Sequence, residues 1–119
     1  MGNLGQEIWK TVLDADIDEH ICKADKDKPR LGLVPPSTIE SVGKVMTYGL
    51  TKYQEGSWKQ VEKYRYVDAL MRHLVEYMKD ENSIDEESGL YHIEHILCNA
   101  AFLNDMRGED ECFGVRKKR

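Results

Sequence analysis

Apolar residues recur at the spacing of amphipathic helices in three segments of this 119-residue chain. The first run follows Ser37-Thr-Ile-Glu40, a capping-box sequence directly after Pro36 that is typical of a helix start. The second run begins after a turn that contains Gly56, and the third begins after a polar, acidic connector. The pattern predicts helices over about residues 37–55, 62–80 and 88–106.

No segment apart from residues 30–34 alternates between apolar and polar positions, so the predicted fold is all-α, a small helical bundle. Three helices of this length enclose a thin core, and we expect oligomerisation to complete the bundle. The chain divides into an N-terminal arm with room for a short helix, a helical domain, and a charged C-terminal tail. These parts span residues 1–27, 28–107 and 108–119.

Composition narrows the class of protein. The chain has 17 basic and 22 acidic residues, a net charge of −5, which disfavours general nucleic-acid binding. No apolar run is long enough for a membrane span, and the N-terminus lacks the features of a signal peptide, so a cytoplasmic location is expected. The three cysteines are widely spaced without a CxxC pair, which argues against a disulfide framework and a zinc ribbon.

Polar side chains lie at the edge of the predicted core. His92, His95 and Asn99 fall on one stripe of the third helix. An antiparallel second helix would bring His73 and Glu76 to the same cleft. Such groups must be satisfied by one another, by water or by a ligand. One interpretation is a hydrogen-bond network in which these side chains satisfy one another. The other is a functional cleft, because histidine suits both proton transfer and borderline metals. Both interpretations stay open.

Two neighbouring segments offer further ligands. The acidic connector could cap the third helix, or one or two of its carboxylates could hold a divalent cation together with phosphate oxygens. Its acidic residues are Glu81, Asp85, Glu86 and Glu87. The turn over residues 51–59 is aromatic and basic, a combination that suits a nucleobase and its phosphates, although Trp58 could equally plug the bundle end. The candidate nucleotide ligands are Lys44, Lys52, Tyr53 and Trp58.

The order of these motifs resembles a family of small phage proteins, the dATP/dGTP diphosphohydrolase-type domains. These are related in outline to the MazZ and MazG-like all-α nucleotide pyrophosphohydrolases. The resemblance covers about residues 26–107. It rests on Lys28-Pro-Arg-Leu-Gly-Leu-Val-Pro-Pro36, Tyr48-Gly-Leu-Thr-Lys-Tyr53, Trp58, Arg72-His-Leu74, Asp85-Glu-Glu-Ser-Gly-Leu-Tyr-His92, His95 and Asn99.

The resemblance implies a nucleotide-binding helical oligomer that converts a purine dNTP to dNMP and pyrophosphate with a divalent metal. The MazG-like group holds magnesium with an ExxE motif and an ExxD motif. The matching positions here are His73-Leu-Val-Glu76 and His92-Ile-Glu-His95, so imidazoles replace three of the four carboxylates. Magnesium or manganese is the expected metal from the resemblance, whereas the imidazoles favour manganese, iron, cobalt or zinc. A metal-free site, in which the histidines and Arg72 bind phosphates directly, also stays open.

If the protein is a hydrolase, chemistry suggests roles for some of these residues. Arg72 and Lys52 would neutralise developing charge, and a histidine or Glu76 would act as base. Two alternatives stay open: a protein that sequesters a nucleotide or cyclic nucleotide without cleaving it, and an interaction module without a small-molecule ligand. The expected catalytic residues are Arg72, His73, His92, His95 and Asn99, and the expected metal ligands are Glu76, Glu81 and Asp85.

Overall fold

A computed structural model describes residues 23–108, 111–112 and 115–116 of the protein. The predicted all-α class is confirmed, since its helices account for nearly all regular structure in these residues. The N-terminal arm up to residue 22 lies outside the described residues, as does most of the charged tail. In chain order the elements are a 3₁₀ turn at Leu31–Leu33, α1 at Pro36–Gly49, a 3₁₀ turn at Ser57–Gln60, α2 at Lys63–Lys79, α3 at His92–Asp105, β1 at Glu111–Cys112 and β2 at Val115–Arg116.

The chain forms two compact units, Met1–Leu33 and Val34–Arg119. In the described part of the first unit every residue is exposed, and the Lys28 N–H donates to the Asp25 carbonyl in a turn. The second unit contains the three helices and the antiparallel pair β1–β2. None of the described helices is long and apolar enough to cross a membrane.

The helix α3 lies at the centre of the second unit and packs against both α1 and α2. The side chains that are buried in the described residues come from this helix and from the residue after it. Only some of them are apolar, so the centre of the bundle has a polar half. The buried residues are Glu94, His95, Cys98, Asn99 and Met106.

The helix α1 is shorter than its pattern predicts. It starts at Pro36, a residue whose fixed φ suits the first helical position, and no side chain caps it, so the expected capping box at Ser37 is wrong. It ends at Gly49 and not near residue 55, and the N–H groups of Thr51 and Lys52 then donate to carbonyls three residues back, as in a turn. The chain then turns through Gly56, which has a φ of 80°.

The connector between α2 and α3 folds back on itself. Ile84 and Tyr91 form an isolated antiparallel bridge, and the Asp85 N–H donates to the Leu90 carbonyl at 2.8 Å. Gly89 makes the reversal with a φ of 74°, a left-handed conformation. This hairpin delays the start of α3 to His92, four residues after the predicted start.

The helix α2 matches its prediction to within one residue at each end, and it carries apolar side chains on two faces. One face packs against α3. A second group of side chains, between 43% and 75% exposed, falls within about 60° of arc on the side away from His73. We call this group the α2 stripe: Tyr64, Met71, Val75 and Met78.

Candidate functional site

A cavity of about 1060 Å³ opens between the helices of the second unit. That volume is at the upper end for small-molecule sites. Helices α2 and α3, the turn after α1 and the α2–α3 connector all contribute walls. The lining residues that bear on chemistry are Lys52, Tyr53, Trp58, Arg72, His73, Asp85, Glu87, His95 and Asn99.

The three helical histidines form one cluster. His73 and His92 approach through their Nδ1 atoms at 2.8 Å, and the rings of His73 and His95 stack with centroids 4.4 Å apart. Two ring nitrogens at that distance share one proton, so one ring donates and the other accepts. Burial lowers the pKa of His73 to about 4, with the neighbouring His95 and His92 adding to the effect. His73 is therefore neutral near pH 7.

Asp85 is the carboxylate of the cluster. Burial opposes its ionisation, but the hydroxyl and the N–H of Ser88 both donate to its Oδ2, at 2.8 and 2.9 Å, and hold its pKa below the usual value. The same hydroxyl lies 2.7 Å from His95 Nε2. Burial also lowers the pKa of His95, although Asp85 acts in the opposite direction. The site thus combines neutral imidazoles with a fixed negative charge.

His73, Asp85 and His92 can hold a metal ion, because one ligand atom from each lies within 4.8 Å of the others. Two imidazoles and one carboxylate form a set that borderline divalent ions accept. His73, Asp85 and His92 would hold such an ion, which would act there as a Lewis acid.

The other end of the cavity is aromatic. The Trp58 ring stacks on Phe102 with centroids 4.5 Å apart, and the Tyr66 hydroxyl donates to the Trp58 carbonyl at 2.7 Å. Phe102 follows His95 by seven residues on α3, about 10 Å along the axis. Trp58 both closes the end of the bundle and lines the cavity, so the structure contains features of both sequence interpretations.

Cations approach the cluster from two elements. Lys52 forms an ion pair with Glu87 of the connector and also lies 5.3 Å from the centre of the Tyr48 ring. Arg72 precedes His73 on α2 and lines the cavity. Asn99 is buried, and its amide donates to the His95 carbonyl at 2.8 Å.

Several of the expected site residues lie elsewhere. Lys44 is 3.7 Å from the buried carboxylate of Glu94, and Glu76 pairs with Lys79 at 3.2 Å. Glu81 is exposed, and among the described residues none of these three expected ligands lines the cavity. Glu76 follows His73 by less than one helical turn, but its carboxylate pairs with Lys79 and does not line the cavity.

Ser88 is a site residue that the sequence pattern had not indicated, although Asp-x-x-Ser before a glycine is typical of a turn in which the carboxylate accepts from the residue three positions later. Glu87 belongs to the acidic connector that was expected to cap the third helix or to hold a cation. In the structure it pairs with Lys52, which is 35 residues away, a contact that no spacing in the sequence indicates.

An all-helical domain that gathers imidazoles, a carboxylate and cations around one cavity is of a class suited to phosphorylated ligands. The family model described as dATP/dGTP diphosphohydrolase, N-terminal, matches residues 18–116, and the chain belongs to this family. The matched range includes the three helices and every residue of the cluster, and the resemblance found in the sequence is confirmed.

One curated relative is a protein of Salmonella phage PMBT28 named dATP/dGTP diphosphohydrolase. It is 32% identical over 107 aligned residues, which cover 82% of this chain and 37% of the relative. The chain therefore spans little more than a third of the length of this relative. No solved structure matches the chain.

Proposed function

We propose that this domain binds a purine deoxynucleoside triphosphate in the helical cavity and hydrolyses it to the monophosphate and pyrophosphate. The observation that carries the proposal is the His73–Asp85–His92 group, of which His73 and Asp85 line the cavity together with His95, Lys52 and Arg72, while His92 does not. The family supports the class of reaction. The activity of the longer relative comes to this chain only as part of the proposal.

The metal fits the residues present. His73, Asp85 and His92 would hold a divalent ion, with manganese, iron, cobalt or zinc favoured over magnesium because two of the three ligands are imidazoles. When bound, the ion supplies Lewis-acid stabilisation of charge on the phosphate oxygens.

The chain's own residues account for the rest of the chemistry. Lys52 and Arg72 neutralise the charge that develops on the leaving pyrophosphate, and Lys52 leaves Glu87 to do so. Of the bases expected from the sequence, Glu76 lies outside the cavity, so the base is a histidine. His95 suits this role because it lies in the cavity without belonging to the metal group.

The purine base fits the aromatic end of the cavity. Trp58 and Tyr53 line that end, two helical turns from His95 along α3, which leaves space for the sugar between base and phosphates. Stacking alone accepts any base, since every base has a π-face, so the purine preference in this proposal comes from the family and not from the stacking.

The test is a chromatographic assay of the protein with each dNTP and NTP, in manganese and separately in magnesium. Monophosphate and pyrophosphate from a purine substrate are expected, with more product in manganese. His92→Ala should lose turnover, whereas Glu76→Gln, outside the cavity on α2, should retain it. Equal turnover in both variants and the unaltered protein would contradict the assigned roles.

A second candidate is nucleotide binding without cleavage. It is favoured by the single carboxylate in the metal group and by the cations around it, a composition that grips phosphate well. Under this candidate the protein depletes a triphosphate from solution, and denaturation releases the nucleotide intact.

We also propose that a second copy of the chain covers the α2 stripe. Tyr64, Met71 and Met78 recur every seven residues, and a two-fold axis at Met71 would bring each Tyr64 to the partner's Met78.

A further inference from the structure

The hydroxyl of Ser88 has three polar neighbours. Its Oγ lies 2.8 Å from Asp85 Oδ2, 2.7 Å from His95 Nε2 and 3.2 Å from the Leu90 backbone nitrogen. A hydroxyl has one proton to donate and two lone pairs that accept. Three neighbours therefore use the full hydrogen-bonding capacity of this oxygen, and the direction of each bond can be worked out.

Two of the directions are fixed by chemistry. An ionised carboxylate only accepts, so the single hydroxyl proton of Ser88 goes to Asp85. A backbone N–H only donates, so Leu90 takes one lone pair of the hydroxyl. The remaining contact must then be a donation from His95, whose Nε2 carries a proton. The opposite assignment would place a hydroxyl lone pair against a carboxylate oxygen at 2.8 Å with no proton between them.

A neutral imidazole with its proton on Nε2 has a free lone pair on Nδ1. The ring of His95 is 8% exposed, and it is held between Ser88 and the stacked ring of His73. Asp85 does not hold this ring directly, because its Oδ2 lies 3.6 Å from His95 Nε2, beyond hydrogen-bond distance. Ser88 therefore bridges the carboxylate and the imidazole.

We propose that Ser88 is the positioning residue that presents Nδ1 of His95 as the proton acceptor for the attacking water. This inference rests on the proposed function. The water oxygen bonds to the α-phosphorus, the bond from that phosphorus to the bridging oxygen breaks, and pyrophosphate leaves with the electron pair. The water proton moves to Nδ1, while the Nε2 proton stays on His95 and is donated to Ser88. Asp85 stabilises the resulting imidazolium through the Ser88 hydroxyl.

The first experiment needs neither substrate nor metal. Nitrogen-15 NMR of the histidines in the full chain reports which ring nitrogen carries the proton and how fast that proton exchanges with water. The expected result is an exchange-protected proton on Nε2 of His95 and an unprotonated Nδ1. A proton on Nδ1, with Nε2 as the bare nitrogen, would overturn the proposal.

Three variants extend this measurement. Ser88→Ala should raise the exchange rate of the His95 Nε2 proton at least about tenfold because its acceptor is lost, and Ser88→Thr should restore protection because the hydroxyl returns. Ser83→Ala is the matched control, since it removes a half-buried hydroxyl of the same connector that donates to the Glu76 carbonyl. If the His95 Nε2 proton exchanges as slowly in Ser88→Ala as in the unaltered protein, and the helicity is intact, the proposal is wrong.

Turnover provides the second readout. Ser88→Ala should lower kcat about 10- to 100-fold with little change in KM, as for other residues that orient a catalytic group, and Ser88→Thr should recover most of it. Normal turnover in Ser88→Ala would refute the positioning role and leave the hydrolase function standing. If the protein hydrolyses no nucleotide, the function fails while the NMR result still decides the state of His95.

Discussion

At the scale of single residues, the site depends on keeping imidazoles uncharged beside one carboxylate. Burial lowers the pKa of both His73 and His95, and their rings stack, so the two imidazoles are kept uncharged. Neutral rings keep lone pairs, which is the form in which histidine binds metals or accepts protons. The cluster is therefore ready for a cation and poorly suited to hold a phosphate by itself.

A metal should stabilise the fold through this group. Adding manganese or zinc should raise the thermal midpoint, because an ion that binds the native state at 100 times its Kd contributes about 2.7 kcal/mol. Replacing His73 by Ala should abolish the shift, whereas Glu76→Ala should keep it, since Glu76 lies outside the group. Differential scanning calorimetry with and without a chelator makes the comparison. An equal shift in both variants would place the ion elsewhere.

Cys98 should be chemically inert in the native protein. Its side chain is 1% exposed, and burial raises its pKa to about 11, so little thiolate forms below that pH. We expect slow alkylation at pH 8.5 in a variant whose other cysteines, Cys22 and Cys112, are replaced by Ser, and complete alkylation in denaturant. Because the folded-state pKa lies above the unfolded one, its contribution to stability is lost as pH rises from about 9 to about 11. Rapid alkylation without denaturant would contradict the burial.

At the scale of elements, periodicity predicted the helices better than their ends. The apolar positions of α2 continue to its last turn, so its bounds were nearly right. The ends of α1 and α3 were misplaced because turn hydrogen bonds after Gly49 and the hairpin around Gly89 override a helical pattern that continues through them. The histidine cluster followed from helical spacing, whereas the Lys52–Glu87 pair depends on loop geometry that spacing does not contain.

Replacing two of the glycines by alanine should change the free energy of unfolding in opposite directions. Gly89→Ala should destabilise the protein by about 1–2 kcal/mol, since a φ of 74° is unfavourable for a residue with a Cβ. Gly43→Ala should stabilise it by up to about 1 kcal/mol, because Gly43 lies inside α1 with nothing within 4 Å of an added Cβ. Urea unfolding measures both. Equal stability of the two variants would mean that the connector does not require its left-handed turn.

At the scale of the whole molecule, the described helices leave a large apolar area uncovered. The α2 stripe lies on the side of this helix away from His73, and among the described residues its side chains are between 43% and 75% exposed. A helix that is apolar on two sides is usually an interior helix of a larger assembly. The length of the helices led us to expect an oligomer, and the α2 stripe is the surface through which we propose that it forms.

Association should therefore depend on Met71. Sedimentation equilibrium should give about twice the 13.8 kDa chain mass for the unaltered protein and the single mass for Met71→Glu, which places a charge at the centre of the stripe. Ile39→Glu is the control, because Ile39 is 73% exposed on α1 and outside the stripe. A monomer at tens of micromolar would contradict the proposed pairing, as would a dimer that persists in Met71→Glu.

The ion pair between Lys52 and Glu87 gives the cavity a built-in competitor for anions. An exposed pair of this kind is worth at most about 1 kcal/mol, so it is a weak barrier to a highly charged ligand. Under the proposed function, Glu87 and the triphosphate would compete for the Lys52 ammonium, and a ligand with more negative charges would displace the carboxylate more readily than a monophosphate.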